Sequence, residues 1–126
     1  MPALPWLERQ PIDPRREYVA MASRLPLTSY RFIPSFLRDT LQIRRRLAQT
    51  PGLVGYTLNA GLARKTFLTF SVWEDQASLD RFAASDPHRR IIGQLRPRMK
   101  PTRFEFFPIS GADLPLTWEQ ITARVR

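Results

Sequence analysis

Lys65 to Trp73 alternates two sets of side chains with the period of a β-strand, and any fold for this chain must build a sheet around it. Phe67, Thr69, Ser71 and Trp73 fall on one face. Leu68, Phe70 and Val72 fall on the other. Just upstream, Leu53 to Asn59 reads as a second strand, joined to the first by a hairpin turn over Ala60-Gly61-Leu62-Ala63. Glu17 to Leu25, with Tyr18, Val19, Ala20, Met21 and Ala22, reads as a central strand that Pro26 ends. Thr102 to Ile109 is the last strand, and Pro108 marks it as an edge or a strand end, because proline gives no N–H to a ladder.

Helices fill the intervals. Ser35 to Gln49 has no glycine or proline, repeats Phe36, Thr40, Ile43 and Leu47 at helical spacing, and stops at Thr50-Pro51-Gly52. Asp75 caps a second helix that turns Leu79, Phe82 and Ala83 inward. Ser85-Asp86-Pro87 opens a third, with His88, Ile91, Ile92 and Leu95 on one stripe, and Pro97 shortens or kinks it. Thr117-x-x-Gln120 is a capping box that opens a short tail helix. The order is β-α-β-β-α-α-β plus a tail, which is the split βαβ pattern of a ferredoxin-like α+β domain with its helices on one face of an antiparallel sheet. The boundaries follow: a proline-rich N-terminal arm over 1–16, too broken for a regular element, the domain over 17–109 and the tail helix over 110–126. The second sheet face is left bare and apolar in this reading. Two copies pairing through it would form a homodimer, a dimeric α+β barrel.

Composition removes several classes of function. No cysteine means no disulfide, no thiolate metal site and no cysteine nucleophile, and it fits a cytoplasmic location. A single histidine rules out a site built from several histidines, so no metal is expected. No apolar run is long enough to span a membrane, and the first residues carry no signal-peptide core. The net charge of +9 comes from arginine, since Lys65 and Lys100 are the only lysines. A basic cluster runs from Arg89 to Arg103 without an acid, which offers polyanion binding as one reading and a solvated arginine-rich surface as the other. Nucleic-acid recognition is not expected. An RNA-binding module with this element order needs a basic-Gly-aromatic third strand, and Arg64-Lys65-Thr66-Phe67-Leu68-Thr69-Phe70 has no glycine.

The residues that could carry chemistry lie near one another in this scheme. His88 is the side chain that titrates near neutrality. At a helix start it stays neutral and could serve as base, acceptor or axial ligand, or simply close the helix and pack on Ile92. Trp73, Ser71, Thr69 and Phe67 share a strand face that could line an apolar pocket with a few polar anchors. Tyr56 could donate a phenolic proton to it or serve as a core aromatic. Because Tyr56 and Asn59 have opposite parity, at most one of them reaches that pocket. Arg24, after the first strand, could hold an anionic or phenolate group, or lie on the surface.

Thr50-Pro51-Gly52-Leu53-Val54-Gly55-Tyr56, Phe67 through Asp75, Leu79-x-x-Phe82 and Ser85-Asp86-Pro87-His88 resemble the dimeric α+β barrel superfamily, in the branch of the antibiotic biosynthesis monooxygenases. The resemblance spans roughly residues 17–109 and implies homodimers with a pocket between helices and sheet. Members include cofactor-free oxidases of aromatic polyketides and haem degraders. Phe82 stands where the quinol-oxidising branch often has histidine, and it joins the substrate-binding candidates. The Asn, Trp and His of the haem-degrading branch fall near Ser23, on Phe82 and near Ile92, and none is retained. The resemblance therefore implies an oxygenase-like enzyme acting on a small hydrophobic or aromatic molecule. No cofactor is expected, and haem stays open through His88 alone. A non-catalytic dimeric module that binds a ligand or partner is the second reading, and polyanion binding through Arg89–Arg103 the third.

Overall fold

The computed structural model describes residues 6–85 and 88–125. Among the described residues nine strands and α-helices follow one another: β1 (Leu7–Glu8), β2 (Glu17–Pro26), α1 (Ile33–Leu47), β3 (Leu53–Gly61), β4 (Thr66–Trp73), α2 (Gln76–Ala84), α3 (His88–Leu95), β5 (Arg103–Ser110) and α4 (Trp118–Arg124). The strands form one antiparallel sheet in the order β1-β3-β4-β2-β5. The fold is α+β and ferredoxin-like, as the element order implied.

Local chemistry explains most boundaries. Pro34 occupies the first turn of α1, where its missing N–H costs nothing. Gly52 ends the loop after α1 at φ +86, a conformation an L side chain rarely takes. Asp75 accepts the Ser78 N–H at 2.8 Å and starts α2. Thr117 and Gln120 form the reciprocal box that opens α4. The cap over Asp86-Pro87 lies outside the described residues. Pro108 sits on β5, an edge strand.

Three expectations need correction. The hairpin turn lies later than Ala60–Ala63: Ala60 and Gly61 remain in β3, Leu62–Arg64 form a 3-10 turn, and Lys65 is a left-handed turn residue at φ 56 outside β4. The arm is not devoid of regular structure, because Leu7 and Glu8 pair with Tyr56 and Gly55 of β3. Most consequential, the second sheet face is not bare. One core lies between the sheet and α1–α3, around Phe36, Leu58, Phe67, Trp73 and Ile91. A second lies on the opposite face, where Ala20, Ala22, Val54, Phe70, Val72 and Phe107 meet Ile121 and Val125 of the tail. Trp6 and Ile12 of the arm and Leu114, Leu116 and Trp118 pack against it. The sequence reading treated arm and tail as appendages. In the structure they supply the second layer that an apolar sheet face requires.

Gly55 shows how closely the arm is fitted. A Cβ there would stand 1.9 Å from the Trp6 ring, so the indole lies directly on the β3 backbone. Next to Gly55, a bulge between Leu53 and Gly55 shifts the register of β3 against β4. Arg124 lays its guanidinium 4.0 Å from the Phe107 ring centre, clamping α4 to β5.

Candidate active site

Between the sheet and the three helices lies a cavity of about 190 Å³. Its floor is the helix-side face of the strands. Met21 and Ser23 come from β2, Tyr56 and Leu58 from β3, Thr69, Ser71 and Trp73 from β4, and Phe104 and Phe106 from β5. Phe36, Thr40, Ile43 and Leu47 of α1, Leu79, Asp80, Phe82 and Ala83 of α2, and His88, Ile92 and Leu95 of α3 close it from above. Phe104 and Phe106 are 44% and 53% exposed, which puts the open side of the cavity along β5.

The polar groups form short internal pairs. The Trp73 indole N–H donates to Ser71 Oγ at 2.9 Å. Ser23 and Thr69 share a hydrogen bond between their hydroxyls. Each pair keeps one hydroxyl proton uncommitted, so the floor can present two donors to a ligand while burying no orphan. Tyr56 is buried, and that burial pushes its phenol up to about 12 against the opposing pull of Arg44. It is a proton donor at every ordinary pH.

His88 begins α3 and is half-buried, its ring 5.1 Å from that of Phe82. Nδ1 lies 3.3 Å from the Ala83 carbonyl. A carbonyl only accepts, so Nδ1 carries the hydrogen and Nε2 keeps its lone pair. Burial holds the imidazole below its ordinary range, and the Ala83 bond pulls the other way. A neutral imidazole with a lone pair, on the wall of an apolar cavity, is what a general base requires.

Six of the eight residues singled out from sequence line this cavity: His88, Trp73, Ser71, Thr69, Tyr56 and Phe82. Two do not. Phe67 shares the face but is fully covered, its ring 4.2 Å from that of Phe36. Arg24 pairs with Leu68 and Arg103 in the ladders, and the parity that turns Ser23 inward turns Arg24 to the opposite face, where it is exposed. Asn59 also lies on that opposite face, buried, with Oδ1 unpaired. Ser23, Thr40 and Asp80 were missed. The alternation Met21-Ser23-Leu25 carried the signal for Ser23. The basic run Arg89–Arg103 is divided among α3, a 3-10 turn and β5, and Arg98 is engaged with Ser35 and the Phe32 ring. Among the described residues, no three His, Cys, Asp or Glu side chains come together to hold a metal ion, and no helix is long and apolar enough to cross a membrane.

Fold and cavity define a class: an α+β domain that encloses an apolar site between a sheet and its helices. Residues 35–94, which supply most of the three helices of that site, match the family described as antibiotic biosynthesis monooxygenase. No curated protein matches the sequence. Among solved structures, a conserved protein from Methanosarcina mazei is similar at 16% identity and TM-score 0.65, over 71% of this chain and 90% of that one. A protein described as an antibiotic biosynthesis monooxygenase is similar at 15% and 0.65, over 71% and 95%. SnoaB, a cofactor-independent oxygenase from Streptomyces nogalater, is similar at 19% and 0.57, over 73% and 92%. At these identities the likeness is one of fold.

Proposed function

We propose that the chain is an enzyme that binds a small hydrophobic, aromatic molecule in the cavity and oxidises it with dioxygen, without a cofactor. The observation that carries this reading is His88, neutral and half-buried, with Nε2 uncommitted, on the wall of a cavity whose other surfaces are almost wholly apolar. The family match and the description of SnoaB support the reaction class.

The proposed step balances without an external reductant. His88 Nε2 takes a proton from an acidified CH₂ group flanked by rings, leaving a carbanion delocalised into the aromatic system. That carbanion gives its electrons to dioxygen. The carbon ends as a carbonyl holding one oxygen atom, and the other oxygen leaves as water with the two hydrogens of the CH₂. The substrate supplies all four electrons. The Tyr56 phenol and the free hydroxyls of the Ser71 and Ser23–Thr69 pairs are placed to hold the developing oxyanion. A dry, apolar enclosure keeps the carbanion from being reprotonated by solvent.

The test is oxygen uptake by the purified protein with aromatic compounds that carry such a CH₂ group. The expected result is uptake matched one-to-one by carbonyl product and unaffected by chelators. Binding of these compounds with no oxygen consumed would overturn the oxygenase reading in favour of a ligand-binding module.

A further inference from the structure

A second cleft, of about 500 Å³, lies where the end of α1 and the following turn meet α2. Arg46, Gln49, Thr50, Ser78, Arg81 and Ser85 contribute to its walls. Phe82 belongs to the walls of both this cleft and the apolar cavity. The two spaces sort charge between them. Among the described residues, Asp80 is the one charged side chain that lines the apolar cavity. Arg46 and Arg81 line the cleft, and among the described residues no acid does.

Neither guanidinium has a carboxylate partner among the described residues, whose ion pairs are Arg38–Asp39 and Arg103–Glu105. Arg81 donates to Ser78 Oγ at 3.2 Å, which orients it along the cleft. Thr50 and Ser85 give their hydroxyl hydrogens to the carbonyls of Arg46 and Phe82, so the arginines and Gln49 are the donors left for a guest. Asp75, whose carboxylate accepts the Ser78 backbone N–H, lies close enough to Arg81 to feel its charge, but the two form no ion pair. Two arginines without an ion pair among the described residues, one on α1 and one on α2, offer charged donors to a carboxylate, sulfonate or phosphate.

We propose that the ligand of this protein is an amphiphilic anion, with its ring body in the apolar cavity and its anionic group held by Arg46 and Arg81 on the far side of Phe82. This rests on the reading that the cavity takes an apolar ligand, and it adds the charge that the cavity itself, with Asp80 on its wall, would repel. Phe82 is the partition that such a ligand must cross or displace.

Two fluorescent probes of like size test it, the neutral N-phenyl-1-naphthylamine and the anionic 1-anilinonaphthalene-8-sulfonate. The sulfonate is expected to bind about tenfold tighter, as one charge-assisted contact gives. The double variant Arg46→Gln/Arg81→Gln is expected to abolish that preference and leave the neutral probe unchanged. Arg89→Gln/Arg90→Gln, which removes equal charge elsewhere, is expected to alter neither. Phe82→Ala is expected to tighten the sulfonate more than the amine. Equal affinities in the native protein, or a preference that survives Arg46→Gln/Arg81→Gln, would overturn the anion subsite while sparing the cavity. Failure of the neutral probe to bind would overturn the cavity reading, and the subsite with it.

Discussion

His88 is where a single atom decides the function. His88→Gln keeps the size of the side chain and its bond to Ala83 but removes the base. The variant is expected to fold normally and to lose turnover by about a hundredfold, the order for removing a general base. The imidazole also ties stability to pH. Burial lowers its folded pKa below the ordinary 6.5. Between those two values the unfolded chain binds more protons than the folded one, so stability falls as pH drops through the window. Chemical denaturation from pH 7.5 down to 5 should show this decline in the native protein and a shallower one in His88→Gln. Tyr56 gives an independent check. With its phenol held at about 12, an ultraviolet titration should show one late-ionising tyrosine that Tyr56→Phe removes. At this scale the sequence was informative wherever strand parity governs. Trp73, Ser71 and Thr69 follow from alternation alone. Arg24, read as following the first strand, lies within β2 with the exposed position that was its alternative reading, and Phe67 is covered by a ring from α1 that no local pattern announces.

The arm and the tail are the elements that local reasoning undervalued. Among the described residues of the arm, 6–16, no helix forms, and prolines do not prevent an extended segment from lying on a sheet. The capping box located α4, but its docking site depends on Val54, Phe70 and Phe107, which are distant in sequence. Such long-range contacts carry no periodic signature. They are nevertheless expected to be strong. Ile121 is fully buried, and Ile121→Ala should cost about 2–5 kcal/mol in denaturant unfolding. Gly55→Ala would drive a methyl into the Trp6 ring, and a loss of about 1–3 kcal/mol is expected as the arm is displaced. Adding the same methyl at Gly93, where no atom lies within 4 Å, should meet no such clash.

For the whole molecule, closing the second sheet face changes how two copies could meet. A sheet-to-sheet homodimer was expected because a bare apolar face needs a partner, and here the chain covers that face itself. Two of the large apolar side chains still exposed, Phe104 and Phe106, lie on the edge strand β5. A two-fold antiparallel pairing centred on Phe104 would set Arg103 against Glu105 of a second copy, a complementary match. Sedimentation at micromolar concentration is expected to give a dimer that Phe104→Glu/Phe106→Glu converts to monomer. A native monomer would remove the homodimer from the account. The sheet also divides the three tryptophans. Trp73 borders the cavity, whereas Trp6 and Trp118 lie against the opposite face. The molecule thus contains two optically separable reporters. A guest in the cavity should quench or shift the emission of Trp73 and leave the other pair dark to its arrival, while loosening of the tail should redden Trp6 and Trp118 alone. Single Trp→Phe replacements would turn intrinsic fluorescence into a map of which side of the sheet has been disturbed.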